Sequence, residues 1–149
     1  MAVPGRKEQV TVGAVLTVAV ELGTQMSEAF DRAPDLASAV VTLGALFARP
    51  LAESGYRQGC PITAIAVEIA GENEEIRTAC AQAYGAWLEG LALCLRKRAV
   101  PDAEAAPLAE VILAGIQGAL LLARVRKDCA PIHQVTARLG AMATSAARP

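Results

Sequence analysis

The chain of 149 residues is 54% hydrophobic and 19% charged, with 14 Lys+Arg against 15 Asp+Glu and a net charge of -1. This length suits one compact domain whose core needs neither disulfide nor structural metal, and the balanced charge argues against a chain that grips phosphate backbones by bulk charge. Aromatic residues make up only 3%, so Ala- and Leu-rich helices are expected and an aromatic-rich sandwich or barrel is not.

The first helix is expected from about Arg6 to Phe30, after Pro4-Gly5, with Val12, Val15, Leu16, Ala19, Leu22 and Met26 at helical spacing. Asp31-Arg32-Ala33-Pro34 ends it. A second helix follows from about Asp35 to Glu53, carrying Leu36, Val40, Leu43, Leu46, Phe47 and Leu51 on its apolar side, with Pro50 expected to kink the last turn. The loop from Ser54 to Pro61 is the least helix-like interior segment. A short helix from Ile62 to Ala70 comes next, and Pro61 suits its first turn.

Gly71-Glu72-Asn73 breaks the chain, and Asn73 with Glu74 and Glu75 starts a long helix to about Arg98. Its closing Arg96-Lys97-Arg98 reads as a solvated helix end facing the negative pole of the dipole, rather than a nucleic-acid patch. Val100-Pro101-Asp102 turns the chain into a helix from about Ala103 to Lys127. Asp128-Cys129-Ala130-Pro131 then leads to a last helix from about Ile132 to Thr144, striped by Val135, Leu139 and Met142, and the tail SAARP is expected to fray.

Two apolar stretches bear on membranes. Arg6 and Lys7 ahead of Val10 to Val20 imitate a signal peptide, but Glu8 and Gln9 interrupt the basic region and no A-x-A site follows. The run from Val111 to Ala123, bounded by Glu110 and Arg124 and interrupted by Gln117, reaches only about 20 Å at about 1.5 Å per residue, short of a hydrocarbon core of about 30 Å. It reads as a buried helix, apolar nearly all round, that must be covered on more than one side; a partner subunit is the economical cover.

Reactive groups are sparse. Cys60, Cys80, Cys94 and Cys129 contain no C-x-x-C pair and His133 is the lone histidine, so no metal or cofactor is expected, and the thiols suit a reducing cytoplasm. Nothing beside His133 marks a nucleophile and orienting acid, and no glycine-rich phosphate loop occurs. No catalytic residue is assigned and the chain is not read as an enzyme.

One helix face is more specific. Ile76, Cys80, Ala83, Tyr84, Trp87, Leu91 and Cys94 share a side of the long helix that begins at Asn73, collecting the only tryptophan and one of two tyrosines. Core packing accounts for part of this stripe, but the polar atoms and flat rings of Trp and Tyr suit a cavity for an organic ligand. Glu68 stands out as the carboxylate inside the apolar ITAIAVEIA. On the fifth helix, Val111, Ile112, Gly115, Gly118, Ala119 and Leu122 oppose Leu113, Gln117, Leu120, Leu121 and Arg124. One side should meet the subunit's own core and the other a partner, and periodicity leaves the assignment open.

The segments YRQGCPITAIAVEIAGENEEIRTACAQAYGAWLEGL and LAEVILAGIQGALLLARVRKDCAP resemble the C-terminal domain of TetR-family transcriptional regulators of the LmrA/YxaF-like subgroup. The resemblance runs from about Val3 to Leu139, most specifically in GCP at Gly59 to Pro61 and QGALLLARVRKD at Gln117 to Asp128. It implies an all-α bundle of about six helices, homodimeric through the last two, belonging to a cytoplasmic repressor whose core takes a small hydrophobic or aromatic effector. The walls it implies are Ile65, Glu68, Cys80, Tyr84, Trp87, Leu91, Gln117 and Leu121. The implied dimer interface uses Gly115, Gly118, Leu122, Val135 and Leu139. Val3 to Val10 resembles the family's junction to a helix-turn-helix, which is missing from this chain, so residues 1–9 read as a remnant of that junction and Lys7 as a vestigial DNA contact. Residues 10–146 read as the ligand-binding and dimerisation domain and 147–149 as a tail, with no membrane, metal or cofactor. The alternative expectation is an interaction protein without a DNA reader that heterodimerises with a full-length relative and removes it from DNA.

Overall fold

A computed structural model describes residues 5–148. Six helices follow one another: α1 (Arg6–Arg32), α2 (Leu36–Glu53), α3 (Pro61–Glu68), α4 (Glu74–Lys97), α5 (Asp102–Arg126) and α6 (Ala130–Ala146). No strand occurs among the described residues. The all-α expectation holds, with each boundary within a few residues of the place where the capping and breaking residues put it.

Local chemistry explains those boundaries. The Asp35 carboxylate accepts from Ser38 N at 2.7 Å and the Asn73 amide oxygen accepts from Ile76 N at 3.0 Å, each satisfying an N–H that the first turn leaves open. Pro61 opens α3, where its missing N–H is harmless. Pro50 lies within α2, which continues to Glu53. Beyond it, Gly55 and Tyr56 both adopt positive φ, 65° each, reversing the chain toward α3. Tyr56 is held there by its N–H on Leu51 O at 2.8 Å and by a 3.7 Å contact from its hydroxyl to Cys129 Sγ.

The helices pack into one core in which α4 lies along α1, α6 lies along α2, and α5 sits between α4 and α6. Phe30, Leu43, Leu51, Ile62, Leu95, Ile112, Ile116 and Ile132 are fully buried, and each side chain of this size contributes about 1.5–3 kcal/mol when removed from water. Thr136 is the buried polar residue among them, and its hydroxyl donates to Ile132 O at 2.8 Å. Trp87 of α4 and Arg98, which caps the end of α4, hold α1. Trp87 Nε1 donates to Ala19 O at 2.9 Å, and Arg98 Nη2 donates to Phe30 O and Ala33 O at 2.6 Å each. The guanidinium thus supplies donors that the last turn of α1 lacks.

Three sequence expectations change. The tail does not fray at Ser145: α6 continues to Ala146, and Arg148 N donates to Ala99 O at 3.0 Å. The length argument about membranes took only the stretch from Val111 to Ala123, whereas α1, α2 and α5 are each long and apolar enough to cross a membrane by length and composition. In this fold the apolar sides of α2 and α5 meet each other's neighbours in a common core. Finally, α5 does not split into the two faces suggested by its spacing. Ile112, Leu113, Ile116, Ala119, Leu120 and Ala123 form one buried face, so residues from both proposed sides serve the subunit's own core.

Candidate functional site

The eight residues expected around an effector do not gather at one opening. Trp87 and Leu91 line a groove of about 390 Å³ between α1 and α4, together with Gly23, Ser27, Gly90 and Cys94. Trp87 itself is only 2% exposed. Phe47 and Tyr84 both stand edge-on to its ring, with centroids 6.2 Å and 5.7 Å away. The indole is therefore mostly enclosed by protein, and its N–H is already satisfied by Ala19.

Glu68, Gln117 and Leu121 line a second opening, about 180 Å³, between α3 and α5. Its walls are Gly59, Cys60, Thr63, Ala64 and Val67 on one side and Gln117, Leu120, Leu121 and Arg124 on the other. Glu68 is exposed at its edge. Ile65 and Cys80 line neither opening: Ile65 is half-buried against the core and Cys80 is 3% exposed within it. Burial pushes the Cys80 thiol above its ordinary 9.0, which keeps it protonated and unreactive.

A polar chain connects the α3–α5 opening to the interior. The Tyr84 and Thr63 hydroxyls are hydrogen-bonded, and Thr63 Oγ1 donates to Gln117 Oε1 at 2.9 Å. Because that hydroxyl proton goes to Gln117, Tyr84 donates to Thr63. Burial raises the Tyr84 phenol above 10.0, so Tyr84 stays a neutral donor at neutral pH. The chain ends on Gln117 Nε2, which is buried and without a partner among the described residues. Turning the amide over would let nitrogen donate to Thr63 but leave the oxygen unpaired. One polar atom of Gln117 is unsatisfied in either orientation, at a cost of about 1–3 kcal/mol. Thr63 was not among the residues singled out from sequence. Its signal was the placement of a hydroxyl in an apolar helix, and only its approach to α4 and α5 turns that into a link.

The residues assigned to a dimer interface also separate. A Cβ on Gly115 would lie 2.8 Å from Leu139 Cδ1 and 3.4 Å from Val135 Cγ1, so Gly115 is the seat of the subunit's own α5–α6 packing. Leu139 is 6% exposed. Gly118 and Leu122 face outward, and Val135 is half-buried against Gly115. Lys7 is exposed in the first turn of α1; Val3 and Pro4 of the expected junction, and Pro149 of the tail, lie outside the described residues.

Residues 36–138 match the family described as transcriptional regulator LmrA/YxaF-like, C-terminal domain. The chain is 28% identical over 141 residues to a protein named Uncharacterized HTH-type transcriptional regulator Rv0196, from Mycobacterium tuberculosis (strain ATCC 25618 / H37Rv), covering 91% of this chain and 71% of the relative. It is 23% identical over 133 residues to the HTH-type transcriptional regulator LmrA of Bacillus subtilis (strain 168), covering 89% of this chain and 71% of that relative. The matched stretch takes in α2 to α5 and half of α6, including the Thr63–Gln117 link, and on this match the chain belongs to the LmrA/YxaF-like transcriptional regulators, as a TetR-type C-terminal domain.

Proposed function

We propose that this chain is the effector-sensing and dimerisation domain of a cytoplasmic TetR-like repressor, and that its effector binds at the α3–α5 opening. The reading rests chiefly on Gln117 Nε2. A buried amide without a partner is a standing cost to the folded state, and a ligand carbonyl or ether oxygen would remove it. The surrounding Leu120, Leu121, Val67 and Ala64 supply the apolar walls that small-molecule sites combine with a few polar anchors. The effector chemistry is therefore a small hydrophobic molecule bearing one acceptor. No catalytic role is proposed.

Two copies associate through the outward sides of α5 and α6, with Gly118, Leu122 and Val135 at the contact. In a regulator of this type, occupancy of the site would favour one arrangement of the paired subunits over another, and that difference in affinity is what couples effector to DNA.

A thermal-shift titration with the neutral naphthalene ketone Prodan tests the site. The wild type is expected to gain stability with ligand, and Thr63→Val is expected to lose that gain. Gln117→Leu removes the unpaired amide, so its unliganded form should melt no lower than wild type while its ligand-induced shift disappears. An unchanged shift in both variants would show that the compound sits elsewhere and would overturn the assignment.

A further inference from the structure

We propose that the molecule taken by the α3–α5 opening is an organic acid, with a neutral acceptor on Gln117 and a carboxylate held at one end of the opening by Arg124 and the first turn of α3. This rests on the effector reading given above and adds the chemical class of the molecule and its direction in the groove. Arg124 then decides between an acid and its neutral counterpart.

Two tethers set that direction. Thr63 is bonded to Gln117, and the Tyr56 hydroxyl contacts Cys129 Sγ at 3.7 Å. The two segments therefore run in opposite senses, residue 56 against 129 and residue 63 against 117. Gly59 and Cys60 on one segment and Leu120, Leu121 and Arg124 on the other line the stretch between the tethers. Glu68 lines the opening from beyond the Thr63–Gln117 link. Among the described residues nothing on α5 before Gln117 lines the opening, so the part walled by both helices is the Arg124 end. A groove that holds one unpartnered amide nitrogen thus has a cation toward its walled end and a carboxylate toward its open one.

Arg124 and Glu68 are the charged residues lining the opening, and neither is engaged in an ion pair: those among the described residues join Arg77 to Glu74 and Arg96 to Asp102. Arg124 follows Gln117 by seven residues, about two turns, which keeps it on the same side of α5 and about 10 Å farther along the axis. Leu120 and Leu121 lie between them and supply the apolar wall. Helical side chains lean toward the start of their helix, and that lean shortens the span from guanidinium to amide to the length of a small organic molecule. The start of α3 attracts an anion to the same end. Cys60 gives it no side-chain cap, so the N–H groups of its first turn and the positive pole of its dipole are open. A neutral molecule would leave these groups unused, and a cation would be repelled by them.

Two compounds that differ only in this charge test it: DANCA, the Prodan analogue whose ketone carries a cyclohexanecarboxylic acid, and its methyl ester, each titrated by fluorescence into the full chain. The wild type should bind the acid more tightly than the ester, and added salt should narrow the gap. Arg124→Gln should weaken the acid about fivefold, the upper end of what an exposed ion pair supplies, and leave the ester unchanged, while Arg124→Lys should keep part of the preference. Arg126→Gln removes an equal charge from the end of α5 outside the opening and should change neither. Glu68→Gln should bind the acid at least as tightly as wild type. All three positions are exposed, so each variant should keep its helical circular dichroism. An acid that binds no tighter than its ester, an ester weakened as much as the acid by Arg124→Gln, or an equal loss with Arg126→Gln would overturn the carboxylate contact while leaving the effector site standing. A weaker acid with Glu68→Gln would overturn the direction assigned to it. Binding of Prodan alone, with neither larger compound, would overturn the reach to Arg124. Failure of all three compounds to bind would overturn the effector reading and this inference together.

Discussion

The indole N–H of Trp87 donates to the carbonyl of Ala19 at 2.9 Å, so a side chain from the middle of α4 is bonded to the backbone of α1. That carbonyl lies within a helix, and the bond is an addition to the helical ladder rather than a substitute for it. Four residues farther along, a Cβ on Gly23 would lie 3.4 Å from the same ring. The ring is therefore seated against α1 by both a polar and a van der Waals contact, and the α1–α4 groove runs along its margin.

Trp87→Phe keeps an aromatic ring but removes the N–H and part of the volume. Loss of a hydrogen bond of about 0.5–1.5 kcal/mol together with an unfilled space should destabilise the fold by about 2–3 kcal/mol in all. Urea denaturation followed by circular dichroism measures it. Because Trp87 is enclosed by Phe47 and Tyr84 rather than lining the α3–α5 opening, the variant's Prodan affinity should be close to wild type once it is folded. A folded Trp87→Phe protein that had lost ligand binding would return the site to the indole.

Gly140 and Gly85 are both helical and should respond to alanine with opposite signs. A Cβ on Gly140 would lie 3.0 Å from Ala37 Cα and 3.1 Å from Ala37 O, backbone atoms of α2 that cannot swing aside. Gly140→Ala should cost about 1–3 kcal/mol through overpacking of α6 on α2. A Cβ on Gly85 would meet nothing within 4 Å, so Gly85→Ala should stabilise by about 0.5–1 kcal/mol through helix propensity and a less flexible unfolded chain. Chemical denaturation midpoints at pH 7 compare the two.

Alkaline pH should reveal the buried phenol. Burial holds the Tyr84 proton above the ordinary 10.0, so the unfolded chain gives it up first. The stability this contributes is present below pH 10 and is lost as pH rises through the elevated value of the folded state. Burial lifts the Cys80 and Cys94 thiols above 9.0 in the same sense, so the wild-type decline begins near pH 9. Tyr84→Phe should keep the decline that the thiols cause and flatten the portion above pH 10, read as urea midpoints between pH 8 and 11. Tyr56, raised chiefly by its hydrogen bond to Cys129, stays in both proteins and serves as the internal control. Parallel curves for wild type and variant above pH 10 would show that Tyr84 is not held neutral by the fold.

Much of the architecture was legible in local chemistry. Asp35 and Asn73 carry short side chains that bond the N–H groups of the turn following them, and Pro61 is suited to a first turn, so the starts of α2, α3 and α4 could be placed without knowing any neighbour. The family resemblance was legible for a related reason, since runs such as Gly59 to Pro61 and Gln117 to Asp128 are contiguous in the chain. The site was less so. Trp87 drew attention as the sole indole, yet the polar link runs through Thr63, which lies 21 residues before Tyr84 and 54 before Gln117. Spacing along one helix cannot report a hydrogen bond among three.

The face of α5 shows the same division. An apolar pattern around nearly the whole helix required cover on more than one side, and that requirement follows from the aversion of apolar surface to water alone. It could not say which residues the subunit covers for itself. Gly115 and Gly118 are three positions apart and chemically identical, but α6 lays Leu139 against the first and leaves the second open. Local sequence determined where the helices begin and end, because capping and periodicity act over a few residues. Only the tertiary structure decided which side of each helix is left over for another molecule, because that depends on what the rest of the chain has already covered.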